Sequence, residues 1–242
     1  MEIKLIALDM DGTLLNDDGI VTQYTHDTIQ KALHQGIEVV LSTGRPLSLC
    51  KGFAVELNLS SYIIASNGAE IWTVDGELIE RHIMEPGKVQ SLWELGEKRD
   101  LHMWLVSADN VFSKRPEVFT NQEWLKLGYG GLTESEKMEL RSVLEKDDTL
   151  EVTNSSMTNL EVNQKGINKA NAIRSICGRL GIKMDQVMAA GDSLNDLKMI
   201  EQAGLGVAVK NAQQLILESA DYVTASNNED GVAKAIEKYA LK

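Results

Sequence analysis

Residues 5–13 read Leu-Ile-Ala-Leu-Asp-Met-Asp-Gly-Thr, so an uninterrupted apolar run ends in two carboxylates that are one residue apart. This run predicts a strand over residues 3–8 that is buried in the middle of a sheet. Side chains alternate between the two faces of a strand, so Asp9 and Asp11 should point the same way. The stretch therefore predicts a pair of acidic groups at the tip of a buried strand.

Strand and helix patterns alternate after this stretch and again near the end of the chain. Further apolar runs predict strands at residues 37–41, 62–65, 187–190, 205–209 and 221–224. Helical spacing of apolar residues predicts helices at residues 25–35, 168–180 and 194–203, and a last helix from about residue 231. Strands that alternate with helices are typical of a parallel sheet covered by helices, which is an α/β fold.

The middle of the chain has a different pattern, of the order α-β-β-α-β-β. Its predicted helices span residues 86–98 and 134–146, and its predicted strands span residues 101–106, 110–114, 150–152 and 159–162. This order suits a small antiparallel sheet backed by two helices. We therefore expect a discontinuous core domain from residues 1–81 and 165–242, with an α+β domain from residues 82–164 inserted between its halves.

Composition excludes several classes of function. The chain has 242 residues and a net charge of −12, which argues against nucleic acid or an anionic membrane as a partner. Charged residues interrupt the first apolar run, so we expect no signal peptide, and no apolar stretch approaches the roughly 20 residues of a membrane span. The two cysteines, Cys50 and Cys177, form no disulfide framework. We expect a cytoplasmic protein.

Polar side chains follow the predicted core strands at their carboxyl ends, where parallel sheets bind ligands. They are Asp9, Asp11, Ser42, Thr43, Asn67 and Asp192, with Asn195 and Asp196 a turn further on. Four carboxylates in one small volume would repel each other without a cation. Hard oxygen ligands suit Mg²⁺, whereas the four scattered histidines lack the spacing of a zinc site.

The same strand ends also suit a phosphate group. Ser42 and Thr43 precede a predicted helix, whose N-terminal amide groups bind anions. A cation would complete such a pocket, and Lys169, near the start of a predicted core helix, is the best-placed lysine.

Four short motifs in this order resemble the haloacid dehalogenase superfamily. They are Asp-Met-Asp-Gly-Thr at residues 9–13, Ser-Thr-Gly-Arg at residues 42–45, Lys169, and Gly-Asp-Ser-Leu-Asn-Asp at residues 191–196. The segments at residues 66–69 and 227–231 are similar to those of the Cof-type branch. The resemblance implies a Rossmann-like parallel-sheet core with an inserted C2-type cap. At residues 82–164 that cap would be compact, as in phosphoglycolate phosphatase-like members.

The resemblance also implies an activity and a role for each matching residue. A Mg²⁺-dependent phosphatase would use Asp9 as the nucleophile that forms an aspartyl-phosphate, and Asp11 as general acid and base. The implied phosphate-binding residues are Met10, Ser42, Thr43, Lys169 and Asn195. The implied metal site uses Asp9, Asp11 through its backbone carbonyl, Asp192 and Asp196. The expected substrate is a small phosphorylated metabolite such as phosphoglycolate or a sugar phosphate, and the expected state is a monomer or homodimer.

Three alternatives stay open. The family lysine is usually followed by glycine, but Ala170 follows Lys169 and a Lys165-Gly166 pair lies upstream; we favour Lys169 for its spacing. A phosphorylatable signalling module or a phosphomutase would share the nucleophile. Lys114 and Arg115, at the end of a predicted strand of the insert, are candidate contacts for a second anionic group, with an ordinary solvated pair as the favoured alternative.

Overall fold

The first third of the chain builds one half of a large sheet in the computed structural model, which describes residues 2–241. Its elements are β1 (Leu5–Leu8), α1 (Gln23–His34), β2 (Glu38–Ser42), α2 (Lys51–Glu56), β3 (Tyr62–Ala65), β4 (Glu70–Thr73) and β5 (Leu78–Arg81). The Thr22 side chain caps α1 by accepting a hydrogen bond from the Thr25 backbone N–H, so this helix begins where an orphan amide finds a partner.

The middle of the chain forms a second, smaller sheet. Its elements are α3 (Pro86–Glu97), β6 (His102–Ser107), β7 (Val111–Phe112), β8 (Trp124–Gly130), α4 (Glu134–Leu144), β9 (Leu150–Thr153) and β10 (Leu160–Gln164). Helix α4 begins with a capping box in which Thr133 and Glu136 exchange side-chain-to-backbone hydrogen bonds.

The last third returns to the large sheet. Its elements are α5 (Lys169–Leu180), β11 (Val187–Gly191), α6 (Leu197–Gln202), β12 (Leu205–Ala208), α7 (Gln214–Ser219), β13 (Tyr222–Val223) and α8 (Gly231–Tyr239). No helix within residues 2–241 is both long enough and apolar enough to cross a membrane.

Strand β1 lies in the centre of the large sheet and joins the two ends of the chain. The strand order is β13-β12-β11-β1-β2-β3-β4-β5, and β1 pairs in parallel with both β11 and β2. All four residues of β1 are fully buried; Ile6 and Leu8 belong to one apolar cluster and Leu5 and Ala7 to another. Helices α1 and α8 cover the first side and α5 the second. The predicted α/β fold with a parallel core sheet is confirmed.

The β4–β5 hairpin at the sheet edge was missing from the sequence prediction. Both strands pair antiparallel, β4 with β3 and β5 with β4. The turn between them contains Asp75-Gly76, with Gly76 at φ 101°, a left-handed conformation that glycine adopts without a steric cost. An Asp-Gly pair between two short strands is a hairpin signal, so this error was avoidable.

The smaller sheet has five antiparallel strands in the order β7-β6-β8-β10-β9, although the sequence pattern predicted only four. The missing strand is β8, which lies in the centre. Its sequence mixes a lysine and two glycines, Gly128 and Gly130, with its apolar residues, and these weaken the strand signal. A Cβ atom on Gly128 would lie 2.1 Å from the Trp104 ring, so the glycine provides the space that this ring occupies.

Helices α3 and α4 cover one face of the smaller sheet and form its apolar core. Trp124 is fully buried there, and its indole Nε1–H donates to the Phe119 carbonyl at 2.8 Å. The opposite face carries Trp104, Lys126 and Glu161 and is turned towards the carboxyl ends of the large sheet, where all three line one cavity. The smaller sheet is therefore apolar on the face under its helices and polar on the face towards the large sheet.

Replacing Trp124 by alanine should lower the free energy of unfolding by about 3–5 kcal/mol, because it leaves a large cavity in this core and removes a buried hydrogen bond. Urea denaturation followed by circular dichroism measures the loss. The control is Met138→Ala on α4, whose side chain is largely exposed and should change stability by no more than about 0.5 kcal/mol. Similar losses in the two variants would contradict the central place of Trp124.

Candidate active site

The chemistry-bearing residues lie at one edge of the large sheet because its central strands run parallel. Asp9 follows β1, Thr43 follows β2 and Asp192 follows β11. Parallel strands end at the same edge, so these three positions meet although they are far apart in sequence.

A buried lysine joins the carboxylates of two of these segments. The Lys169 Nζ atom lies 2.6 Å from an oxygen of Asp9 and 2.6 Å from an oxygen of Asp196. Lys169 and Asp196 are fully buried, and Asp9 is 5% exposed. Lys169 is the first residue of α5, and Asn168 caps that helix by accepting from the Asn171 backbone N–H. The cap fixes where α5 begins and so where its lysine points.

The pKa values of this group follow from burial and from its neighbours. Burial alone would lower the pKa of Lys169, but the carboxylates of Asp196 and Asp9 outweigh burial and raise it, so the ammonium stays charged. Burial, followed by repulsion from Asp196, raises the pKa of Asp9 well above its usual range in spite of Lys169. One lysine is therefore not enough to keep all the neighbouring carboxylates ionised at low cost.

The loop after β11 is folded around Asp196. One oxygen of Asp196 accepts hydrogen bonds from the backbone N–H groups of Asp192 and Ser193, both at 3.0 Å. A Cβ atom on Gly191 would lie 2.5 Å from the Asp196 side chain, so only glycine allows this close packing. Both oxygens of Asp196 are thus occupied, one by Lys169 and the other by the loop.

Asp192 lies beside the turn that follows Asp9. Its carboxylate accepts a hydrogen bond from the Ser193 hydroxyl at 2.9 Å. Gly12 has φ 77°, and a Cβ atom there would lie 2.8 Å from an Asp192 oxygen. Burial and the nearby charge of Asp196 raise the pKa of Asp192 to about 7.

Three carboxylates form a site that can hold a metal ion. Asp9, Asp192 and Asp196 each offer an oxygen, and these oxygens all lie within 4.8 Å of one another. A donor set made only of carboxylate oxygens fits a hard divalent cation. Such a cation would also lower the raised pKa values of Asp9 and Asp192, because it supplies the positive charge that the cluster lacks.

Asp11 lies outside this cluster, at the rim of the site. Its carboxylate forms a two-pronged ion pair with Arg45, whose Nε and Nη2 atoms lie 2.9 Å and 2.5 Å from the two oxygens. The Arg45 guanidinium also stacks over the Phe53 ring, 5.5 Å from its centre. Arg45, which follows the predicted Ser42-Thr43 pair, therefore fixes the orientation of Asp11.

Several predicted site residues have their side chains away from the cavity. Ser42 and Thr43 are fully buried; the Thr43 hydroxyl accepts from the Arg45 backbone N–H at 3.1 Å. The Ser42 hydroxyl has no hydrogen-bond partner among residues 2–241. The Met10 side chain packs in the apolar core of the large sheet. Asn195, by contrast, lines the cavity.

The paired cations Lys114 and Arg115 also lie away from the cavity. Arg115 donates to Glu97 at 2.5 Å and to Glu94 at 3.4 Å, both on α3. Neither Lys114 nor Arg115 is among the residues that border the cavity. The contacts of Arg115 place it on the outer surface of the smaller sheet.

A polar network between the two sheets escaped the sequence analysis. The Lys126 ammonium on β8 donates to Glu161 on β10 at 2.8 Å and to the Gly44 carbonyl at 2.7 Å. The Asn67 amide donates to the other oxygen of Glu161 at 2.7 Å and accepts from Asn195 at 3.1 Å. The available signal was alternation: in β10, the polar residue at 161 stands between two apolar ones.

The two sheets enclose a cavity of about 400 Å³ above the carboxylates. Its lining residues are Asp9, Asp11, Gly44, Arg45, Pro46, Leu49, Trp104, Val106, Val111, Lys126, Ser155, Glu161, Asp192, Ser193 and Asn195. This volume is within the usual range for small-molecule sites, and both sheets contribute to its walls.

Comparisons with known proteins identify related chains. Residues 6–130 and 120–236 match the family model for haloacid dehalogenase-like hydrolases. The chain is 46% identical to the 5-amino-6-(5-phospho-D-ribitylamino)uracil phosphatase YcsE of Bacillus subtilis, over all of this chain and 97% of the relative. It is 30% identical to a phosphoglycolate phosphatase of Methanobrevibacter smithii, over the full length of both.

A solved structure shows the same fold. The structure of a haloacid dehalogenase-like hydrolase from Bacillus subtilis superposes with a TM-score of 0.91 and covers 99% of this chain and 100% of its own. Its sequence identity is 24%, so the likeness is one of fold.

Replacing Lys169 by methionine should lower the free energy of unfolding by about 3–5 kcal/mol in the presence of a metal chelator, because it leaves two buried carboxylates without their cation. Urea denaturation measures the loss. Lys165→Met is the matched control, since Lys165 is exposed and should matter by no more than about 0.5 kcal/mol. Equal losses in both variants would show that the buried ion pair contributes nothing.

Proposed function

We propose, from the premise that the chain belongs to the haloacid dehalogenase-like hydrolases, that it is a Mg²⁺-dependent phosphatase that works through an aspartyl-phosphate. The chain is a phosphatase, as its named relatives are. The observation that carries the mechanism is the position of Asp9: a nearly buried carboxylate, held by Lys169, that also borders a cavity of small-molecule size.

Asp9 would act as the nucleophile. A carboxylate oxygen attacks the phosphorus atom, the bond from phosphorus to the alcohol oxygen breaks, and the phosphoryl group is left on Asp9. Water then attacks the same phosphorus atom, the bond to Asp9 breaks, and phosphate leaves. Splitting the reaction in this way divides a very slow hydrolysis into two easier steps. Lys169 holds Asp9 in one orientation through both steps.

Asp9 and Asp192 would hold the Mg²⁺ ion directly, with the Asp11 backbone carbonyl as the further ligand that the family resemblance implies. When bound, the ion supplies positive charge to the oxygens of the transferring phosphoryl group. Both oxygens of Asp196 already bind other groups, so we propose that Asp196 positions Lys169 and the 192–196 loop rather than binding the metal directly.

Asp11 would be the acid that protonates the leaving alcohol and the base that later activates water. Its present ion pair with Arg45 holds both carboxylate oxygens. Acid catalysis therefore requires Asp11 to turn away from Arg45 towards the alcohol oxygen. Asn195 and Lys169 are the side chains best placed to bind the phosphoryl group; the predicted contributions of Met10, Ser42 and Thr43 stay predictions.

We propose that residues 82–164 act as a cap over this site. Lys126 on the smaller sheet bonds to the Gly44 carbonyl on the larger one, so the two sheets are linked directly above the carboxylates. A cap in this position excludes stray water, which strengthens electrostatic interactions at the reacting phosphorus. The substrate would be a small phosphorylated metabolite, and the 5-phospho-ribitylaminouracil named for the Bacillus subtilis relative is the first candidate.

Two further features bear on the alternatives. A phosphomutase or a signalling module would retain Asp9, but the chain's relatives are named as phosphatases. Cys50 and Cys177 are both free and buried, which suits a reducing compartment, so we place the protein in the cytoplasm. We expect a monomer or a homodimer.

Replacing Asp9 by asparagine should reduce phosphate release on the order of 10³-fold or more, because the amide keeps the shape of the side chain but is a poor nucleophile. The assay measures phosphate released from an active ester with Mg²⁺, in freshly purified protein free of deamidation. Asp18→Asn in the exposed turn after β1 is the control and should act like the wild type. Retained activity in the Asp9 variant would exclude the covalent mechanism.

Replacing Asp192 by alanine should raise the Mg²⁺ concentration needed for half-maximal activity by about tenfold or more, because the site loses one of its few hard ligands. Glu201→Ala, an exposed acidic residue on α6, serves as the control. Calorimetric titration of Mg²⁺ gives an independent measure of affinity. An unchanged titration in the Asp192 variant would rule out the proposed metal site.

A further inference from the structure

We infer that the polar face of the smaller sheet is a leaving-group site for an uncharged alcohol that carries a flat, hydrogen-bonding ring, with Trp104, Lys126 and Glu161 as its specificity-determining residues. This inference rests on the proposed phosphatase function and names its substrate class. It goes beyond that function because the groups that bind phosphate and metal cannot tell one alcohol from another.

Alternation along the strands builds this face. In β6, Met103 and Leu105 point into the apolar core under the helices, whereas Trp104 and Val106 border the cavity. In β10, Val162 belongs to the same core and Glu161 borders the cavity. One face of the sheet thus stabilises the fold, and the other is free to contact a ligand.

Trp104 provides a flat apolar wall. Its ring packs against the backbone of β8 at Gly128 and Gly130, where Cβ atoms would lie 2.1 Å and 3.0 Å from the ring. These two glycines let the indole lie directly on the neighbouring strand, so it is held in place while it still borders the cavity. Leu49 lines the cavity from the larger sheet. A planar ring stacks on such a wall.

Lys126 and Glu161 provide hydrogen bonds in a buried setting. Both are at most 3% exposed, and their ion pair is 2.8 Å long. Burial alone would raise the pKa of Glu161, but Lys126 and Asn67 outweigh burial and lower it, so the carboxylate stays ionised. An ammonium has three N–H donors, and Lys126 uses two of them. The third is available to a carbonyl oxygen on a ring.

The charges around the cavity disfavour a second anionic group on the substrate. Among residues 2–241, the cations that border the cavity are Arg45 and Lys126, and each is already paired, with Asp11 and Glu161 respectively. A carboxylate on the leaving group, as in phosphoglycolate, would meet those two acids without a free cation. The cavity is also larger than a two-carbon acid needs. An uncharged, ring-bearing alcohol fits both observations.

Two matched pairs of esters test the inference on the wild-type enzyme with Mg²⁺. Uridine 5′-monophosphate and ribose 5-phosphate differ in a flat ring with two carbonyl groups. 2-Hydroxyethyl phosphate and phosphoglycolate differ in the charge of the leaving group. We expect kcat/KM to be about tenfold or more higher for the first member of each pair, from stacking in one and charge repulsion in the other.

Variants then assign each preference to a residue. Trp104→Ala should bring the uridine-to-ribose ratio to within about threefold of unity, mainly through KM for the uridine ester, and Trp104→Phe should restore most of it. Glu161→Gln leaves Lys126 without its counter-ion, so phosphoglycolate should gain about tenfold relative to 2-hydroxyethyl phosphate. Met138→Ala, on the far side of the smaller sheet, should change neither ratio.

The outcomes separate this inference from the function on which it rests. Equal rates within the first pair, or a preference for phosphoglycolate in the second, would overturn the leaving-group site while leaving the phosphatase intact. A Trp104→Ala enzyme that keeps the wild-type uridine-to-ribose ratio would also overturn it. Failure of the wild type to hydrolyse any of the four esters would overturn the proposed function itself. The wild-type ratios decide the matter even where a variant does not fold.

Discussion

The Lys169 ammonium between Asp9 and Asp196 is the interaction on which the site depends. It lies 2.6 Å from each carboxylate with no solvent exposure, and burying two acids this close together without a cation would cost several kcal/mol. It also joins three segments, namely the end of β1, the start of α5 and the loop after β11. Because α5 follows the inserted sheet in sequence, this ion pair ties the return of the chain to the strand with which the chain began.

The central position of β1 explains why these acids meet. A strand paired in parallel on both sides ends beside the ends of β2 and β11, so residues about 180 positions apart in sequence, such as Asp9 and Asp192, become neighbours. Two glycines then allow the close approach that the cluster needs. Gly12 brings the turn after β1 against Asp192, and Gly191 brings its backbone against Asp196. Removing side chains at these two points matters as much as placing the carboxylates.

The sequence was sufficient to predict the central sheet and the acids at its edge, because a long apolar run and a carboxylate pair are both local signals. It was insufficient for β8 and for the network between the sheets. Lys126 is a surface residue by composition, and only the pairing of β8 with β10 brings it to Glu161 and makes its burial favourable. The Arg45–Asp11 pair was missed for a similar reason, since a contact between two loops leaves no periodic pattern. Interactions that depend on tertiary neighbours cannot be read from a residue's own segment.

The charge balance of the whole site gives the smaller sheet a specific purpose. When ionised, five carboxylates face three cations, namely Asp9, Asp11, Glu161, Asp192 and Asp196 against Arg45, Lys126 and Lys169. Two negative charges remain, and one divalent cation balances them before the phosphate group brings its own charge. The smaller sheet contributes Lys126 and Glu161 as a neutral pair, so its contact with a substrate adds shape and hydrogen bonds without disturbing this balance. Discrimination by the cap then acts on the form of the alcohol, while the metal and the core residues act on the phosphoryl group.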